Sequence, residues 1–271
     1  MTKPVDFLIR LSAAETHGFR QIPVLLEDEH LLALDKPSCL LTSPDRNHPQ
    51  RPDLMKLLHR GIACGAAWAR ARGLTYLANT HRLDFETSGV LLLAKDKPTL
   101  IALANQFGAE SAARRYIALV RGAPVENAFE VTARLAPHPT RGDLMRVDAR
   151  QGKRAETFFE VLERFSAYTL LKCRMQTGRY HQIRAHLLHA GFPIVGDSLY
   201  AGRPLLLSML KPEYRFKPGQ RERPLMGRTA LHAEALDILH PVSTAQVAIT
   251  APWPKDLTVA LKYLRRYASG R

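Results

Sequence analysis

Disulfide frameworks, membrane spans and phosphate-binding loops are all missing from this sequence. Only three of the 271 residues are cysteine: Cys39, Cys64 and Cys173. They lie far apart, their number is odd and no CxxC pair occurs, which argues against disulfide stapling and fits a reducing compartment. No apolar run approaches the roughly 20 residues that cross a bilayer. The Phe7-Leu8-Ile9 run near the N-terminus is too short for a secretory signal. These absences predict a soluble, cytoplasmic protein with no membrane role. Neither GxGxxG nor GxxxxGK(S/T) occurs, so a nucleotide cofactor has no support. HExxH is absent too, and His181, His186 and His189 share their segment with no cysteine or carboxylate, so no metal is expected. Ser88 lacks the GxSxG elbow of a serine hydrolase. Acidic residues are also scarce. There are 25 Asp+Glu against 39 Lys+Arg, so the net charge is 39 − 25 = +14 and the sequence pI is near 10.0. That surplus favours a polyanionic partner, nucleic acid before membrane.

What is present reads as a globular chain, with 46% hydrophobic and 24% charged residues. Residues 1–21 carry no strong period and read as an arm or a short extra strand. Leu31-Leu32-Ala33-Leu34 reads as a strand ended by Pro37. Asp53 caps a helix expected to run to about Arg72, closed by Gly73. Strands are expected over 74–78 and 90–94 and a helix over about 98–107 behind Asp96. Further strands follow over 114–120, 131–135, 155–163, 167–175, 230–239 and 247–251. Helices are expected over 180–190 and 257–267. Two stretches stand out as basic: the loop over 137–154, and 203–228, which carries Arg203, Lys211, Arg215, Lys217, Arg221, Arg223 and Arg228. Inside the second, Leu205–Leu210 is apolar enough for a strand. No internal repeat or Gly/Pro/Ser-rich linker divides the chain. The expected organisation is an arm over 1–21 and one domain over 22–271.

The densest chemistry lies between the strands at 74–78 and 90–94, in Thr80-His81-Arg82-Leu83-Asp84-Phe85-Glu86-Thr87-Ser88-Gly89. A polar loop so placed holds its side chains at the mouth of a rigid sheet. Asp84 and Glu86 raise paired-carboxylate chemistry, and a carboxylate can attack a sugar C1′ to form a covalent glycosyl intermediate. A guanidinium partner would keep such a carboxylate ionised. On these residues alone, a glycosidase or nucleoside hydrolase using Asp84 and Glu86 stays open.

Several stretches then match one family in order. His81-Arg82-Leu83-Asp84-x-x-Thr87-Ser88-Gly89, followed by an apolar run to Lys95, resembles the catalytic motif of the RluA-type RNA pseudouridine synthases. The stretch from Glu27 through Lys36-Pro37 resembles that family's opening strand, and Arg115-Tyr116-x-Ala118-x-Val120-x-Gly122 its tyrosine motif. Thr177-Gly178-Arg179-Tyr180-His181-Gln182-Ile183-Arg184-x-His186-Leu187 resembles its arginine motif. That motif is followed by Gly196-Asp197-x-Leu199-Tyr200, and Leu231-His232-Ala233 through His240-Pro241 resembles the last motif. The similarity covers about residues 22–250. Two departures are plain: Cys39 stands where a glycine is usual after Lys-Pro, and Tyr180 replaces a usual small hydroxyl residue.

The resemblance implies an α+β pseudouridine synthase fold: a bent, mostly antiparallel mixed sheet with flanking helices and a central RNA-binding cleft. No separate S4-type domain is expected. It implies isomerisation of uridine to pseudouridine in structured RNA, rRNA or tRNA, by a monomer without cofactors. Asp84 matches the nucleophile. Tyr116 matches the tyrosine that lies against the base, and Arg184 the arginine paired with the aspartate, with Arg179 as second choice. His81, Arg82, Arg114, Arg115, Arg179, His181 and Lys36 are the expected substrate and RNA contacts. A non-catalytic RNA-binding or assembly factor on the same fold is the alternative from another class.

Overall fold

The computed structural model describes residues 7–13, 18–45, 49–211, 213–215, 219 and 221–269. The chain forms two compact units, residues 1–113 with 233–252, and 114–232 with 253–271. In the first, β1 (Leu8–Ala13), β2 (Gly18–Glu27), β3 (Leu31–Lys36) and β5 (Ser88–Ala94) follow one another across a sheet, with β11 (Leu231–Leu239) next to β5. The two-residue strand β4 (Ala78–Asn79) also pairs with β5, and β12 (Gln246–Thr250) pairs with β11. The N-terminal stretch thus contributes a strand, while residues 1–6 and 14–17 of the expected arm lie outside the described residues.

Alternation explains why β3 and β5 are both continuously apolar. Successive side chains on a strand point to opposite faces, and here both faces are covered. Leu32, Leu34, Leu91 and Leu93 enter one core with Leu54, Met55, Leu58 and Trp68. Leu31, Ala33, Val90, Leu92 and Ala94 enter another with Leu103, Leu236, Ile238 and Ile249. The register Leu31↔Ala94 to Lys36↔Gly89 keeps each set on its side, and a one-residue slip would exchange them. It also sets Lys36 opposite Gly89, at the exit of the Asp84 loop.

The helix expected over 53–72 is two helices, α1 (Leu54–Ala63) and α2 (Ala67–Ala71). Asp53 caps the first by accepting from the Lys56 N–H at 2.8 Å. Gly65 takes a left-handed φ of 60° and turns the chain back. Trp68 then lies so close to Gly61 that a Cβ there would come within 2.4 Å of its ring. The strand expected over 74–78 shrinks to β4, because Leu74 and Leu77 are consumed by the core rather than by a ladder. Helix α3 (Lys97–Gly108) starts as expected, its cap Asp96 accepting from the Thr99 N–H at 2.7 Å.

In the second unit an antiparallel sheet runs β6 (Ala113–Arg121), β10 (Tyr168–Met175), β9 (Lys153–Arg164), β7 (Ala128–Pro137), β8 (Met145–Val147). Strand β8 lies inside the stretch expected to be a basic loop, where Arg146 pairs with Asp148 at 2.7 Å. Helix α4 (Gln182–His189) packs on β7, β8 and β9. A 3-10 turn follows over Ser198–Tyr200. The strand expected over 205–210 is replaced by one helical turn, α5 (Leu207–Leu210). Leu205 instead makes an isolated bridge to Met226, and Glu222 accepts from the Ser208 N–H and hydroxyl at 2.9 and 2.6 Å. These contacts pin the two ends of the 203–228 segment, whose Lys217 lies outside the described residues. Helix α6 (Lys255–Tyr267) buries Leu257, Ala260, Leu261 and Leu264 at helical spacing. No helix among the described residues is long and apolar enough to cross a membrane.

Candidate active site

The loop between β4 and β5 is fastened at nearly every residue. Thr80 donates from its N–H and hydroxyl to the Leu92 carbonyl at 3.2 and 3.0 Å. His81 Nε2 accepts from the Leu92 N–H at 3.1 Å, and its ring lies 5.1 Å from that of Phe107. Asn79 Nδ2 donates to the His81 carbonyl at 2.9 Å. The residues on either side of Asp84 are then tied to the segment after β3. The buried Thr42 hydroxyl donates to the Leu83 carbonyl and accepts from the Leu83 N–H, both at 3.0 Å. The Leu40 N–H donates to the Phe85 carbonyl at 3.2 Å. Asp84 itself is half-buried, and its carbonyl accepts from the Thr87 N–H at 3.1 Å. Its backbone is therefore fixed from both sides, as a group that must meet a reacting atom requires.

The clamp depends on the turn at 37–40. Lys36 was expected to meet RNA; instead it is fully buried, and its ammonium donates to the carbonyls of Pro37 at 2.9 Å and Leu40 at 2.7 Å. It satisfies carbonyls of the turn and has no exposed surface for a phosphate. Cys39 takes the left-handed conformation, φ 57°, that the usual glycine would adopt. The departure in residue type leaves the turn's shape intact at a local steric cost. Burial pushes the neighbouring Asp35 up to about 6, against the pull of the Lys36 ammonium. At the other end of the loop, Gly89 meets the backbone of β11. With φ 113°, a Cβ there would lie 2.2 Å from the Ala233 carbonyl oxygen.

The second unit holds the other expected residues. Tyr116 is buried on β6 opposite Cys173 of β10. Arg114 and Arg115, half-buried, precede it on the same strand. The Arg114 guanidinium lies against Gly178, where a Cβ would come within 2.4 Å of Nη1. Gln182 organises the turn into α4. Its Oε1 accepts from the Thr177 hydroxyl at 2.8 Å and the Arg179 N–H at 2.9 Å, and its Nε2 donates to the Glu156 carbonyl at 2.8 Å. Arg179 Nε donates to the Arg154 carbonyl at 3.0 Å.

Arg184 is buried and forms a bidentate pair with the fully buried Asp197, Nε–Oδ2 at 2.7 Å and Nη2–Oδ1 at 2.8 Å. Its guanidinium carbon lies 4.8 Å from the Tyr200 ring centre. The Tyr200 hydroxyl accepts from the Met145 N–H at 2.8 Å and meets His181 Nδ1 at 3.1 Å. Such a pair holds a guanidinium in one plane far better than a lone ammonium could be held. Asp197 and Tyr200 were quoted in the sequence motif without a role, and Thr42 gave no signal at all. Arg228, counted among the basic arm of 203–228, is withdrawn from it: it is buried and paired with Asp256 at 2.7 and 3.0 Å. Arg203, Arg215, Arg221 and Arg223 are exposed, as is Arg82 in the first unit.

The family described as RNA pseudouridylate synthase matches residues 30–189, which contain Asp84, Tyr116 and Arg184. A relative named ribosomal large subunit pseudouridine synthase D, from Xylella fastidiosa, is 39% identical over 90% of this chain and 70% of its own length. One of the same name from Escherichia coli is 30% identical over 90% of this chain and 71% of its own length. Among solved structures, human RNA pseudouridylate synthase domain containing 4 superposes with a TM-score of 0.69 at 23% identity, covering 89% of this chain and 92% of that one. That likeness supports the α+β fold, and the sequence relationship identifies the chemistry: the chain belongs to the RluA-type RNA pseudouridylate synthase family.

Proposed function

We propose that this enzyme, which isomerises uridine in RNA, acts on large-subunit ribosomal RNA and uses Asp84 as its nucleophile. The observation that carries the assignment is the fixed backbone on both sides of Asp84, with Leu83 held by Thr42 and Phe85 by Leu40. The names of the relatives favour large-subunit rRNA over tRNA. The net charge of +14 suits a phosphate-rich partner.

In this reading the target uridine leaves its stack, because C1′ and C5 cannot be reached inside a helix; unstacking costs a few kcal/mol. Asp84 promotes cleavage of the C1′–N1 bond, by attack or by elimination. The base turns, C5 bonds to C1′, and the C5 proton is lost as N1 gains one, so the step is redox-neutral and needs no cofactor. Tyr116 or a water takes the C5 proton. Arg184, held by Asp197, is the residue that the family resemblance assigns to keeping the nucleophile ionised.

The test is tritium release from RNA labelled at uridine C5. Asp84→Asn should abolish release from large-subunit rRNA while leaving RNA affinity within a fewfold of the parent. Retained turnover would sink the nucleophile assignment. Release from tRNA transcripts but not from rRNA would overturn the substrate.

A further inference from the structure

Tyr180 departs from the small hydroxyl residue usual at its place, and it is oriented by a chain of contacts. Its ring stacks on His181 with centres 3.8 Å apart and planes at 22°. His181 is buried and held in the left-handed conformation, φ 50°, at the start of α4. Its Nδ1 faces the Tyr200 hydroxyl at 3.1 Å, and the two rings meet edge to face at 5.6 Å. Tyr200 is in turn fixed by the Met145 N–H and lies against Arg184. The outermost member nonetheless keeps 38% of its surface exposed. A solvent-facing tyrosine usually samples several rotamers; this one is backed by a buried imidazole in a strained backbone position. Such strain persists where surrounding contacts impose it, and it clusters at functional sites.

The surroundings say what that platform would take. The turn carrying Tyr180 also carries Arg179, and Arg114 lies against Gly178 two residues before it. An oriented, partly exposed aromatic ring on a turn that also carries an arginine is the chemistry of single-stranded nucleic-acid binding: the ring stacks on a base and the cation meets the backbone. The apolar alternative, a protein partner, is disfavoured by the two arginines and by the small area one tyrosine can bury.

We infer that Tyr180, backed by His181, is a stacking platform for an unpaired base of the RNA substrate, a contact this chain adds to the family's shared motif. The inference rests on the RNA reading above and identifies one subsite within it. Its hydrogen-bond indifference makes it a selector for unpaired over paired RNA rather than for a particular base.

The test compares the full chain with Tyr180→Leu, Tyr180→Thr and Tyr180→Trp on two labelled probes, an RNA hairpin with a uridine-bearing loop and a blunt duplex with the same stem. Leu and Thr should each weaken hairpin binding on the order of tenfold, within what one base–aromatic stack is worth. Duplex affinity should not move, and Trp should restore the hairpin. The slope of log affinity against log salt should stay the same, because no charge is removed. Equal losses on hairpin and duplex would make Tyr180 a prop for its turn and overturn the inference. So would parental hairpin affinity in both Leu and Thr, or failure of a folded Trp variant to bind better than Leu. An active Asp84→Asn chain would overturn the nucleophile assignment and leave this comparison intact.

Discussion

Two buried threonines near Asp84 offer a controlled perturbation. Thr42 and Thr87 are 1% and 2% exposed, and Thr→Val removes the hydroxyl from each at nearly constant volume. Their environments differ. The Thr42 hydroxyl makes two hydrogen bonds to the Leu83 backbone, whereas Thr87 Oγ1 makes none among the described residues. Thr42→Val strands a buried N–H and a buried carbonyl, at about 1–3 kcal/mol each, so a total of about 2–6 kcal/mol is expected. Thr87→Val removes a hydroxyl that is already desolvated without a partner, so stability should change by less than about 1 kcal/mol and can rise. Denaturant midpoints measure both. The functional consequence separates further. Leu83 immediately precedes Asp84, the proposed nucleophile, and a displacement of about 1 Å there can cost on the order of a hundredfold in rate. Tritium release at saturating RNA should therefore fall steeply in Thr42→Val. Thr42→Ser, which keeps the hydroxyl, should recover most of it. If Thr42→Val and Thr87→Val matched each other in midpoint and turnover, the idea that the Thr42 clamp positions Asp84 would be refuted.

Three further substitutions test other contacts. Gly89→Ala drives a Cβ to 2.2 Å from a backbone oxygen at φ 113°, so it should cost more than about 3 kcal/mol and show as lost soluble yield. Gly108→Ala, at the end of α3 with nothing within 4 Å, should be neutral or stabilising by up to about 1 kcal/mol. His186 is buried with Nδ1 facing the Thr157 hydroxyl at 3.0 Å, and burial lowers its pKa from 6.5 to about 4. Between those values the unfolded chain binds the extra proton, so stability falls as pH drops from 6.5 and levels below 4. The total is about 3 kcal/mol. The difference in urea midpoint between the parent and His186→Gln, followed from pH 7 to 4, should trace that window; a pH-independent difference would contradict it.

Periodicity exposed most of the fold because the relevant signals are local. Leu31–Leu34 and Val90–Ala94 read as buried strands from their apolar runs, and Asp53 and Asp96 announced their helices through caps that bind N–H groups three residues on. The errors came where a distant contact overrides local pattern. Gly65 was the local sign of a break within 53–72, but the apolar spacing ran across it, so two helices looked like one. Nothing within 205–210 says that Leu205 bridges Met226 and that Glu222 binds Ser208, so a helical turn looked like a strand.

The site divides along a different line, between residues that carry charge density into a motif and residues that hold those residues still. Asp84, Tyr116 and Arg184 are singled out through the family's motifs, since the residues alone leave Asp84 and Glu86 both open. Lys36 was expected to meet RNA from its place in the opening motif, and its burial against the Pro37 and Leu40 carbonyls corrects that reading. The holders have no such mark. Thr42 is one threonine in a polar loop, and its value lies in meeting a backbone 41 residues away. Asp197 sits 13 residues from Arg184, beyond the reach of any helical or strand spacing. Its pairing fixes the plane of the Arg184 guanidinium through two directional bonds rather than through charge alone. The same reasoning makes Arg184→Lys a poor substitute, since a lysine keeps the charge but cannot bind both oxygens of Asp197 in one plane.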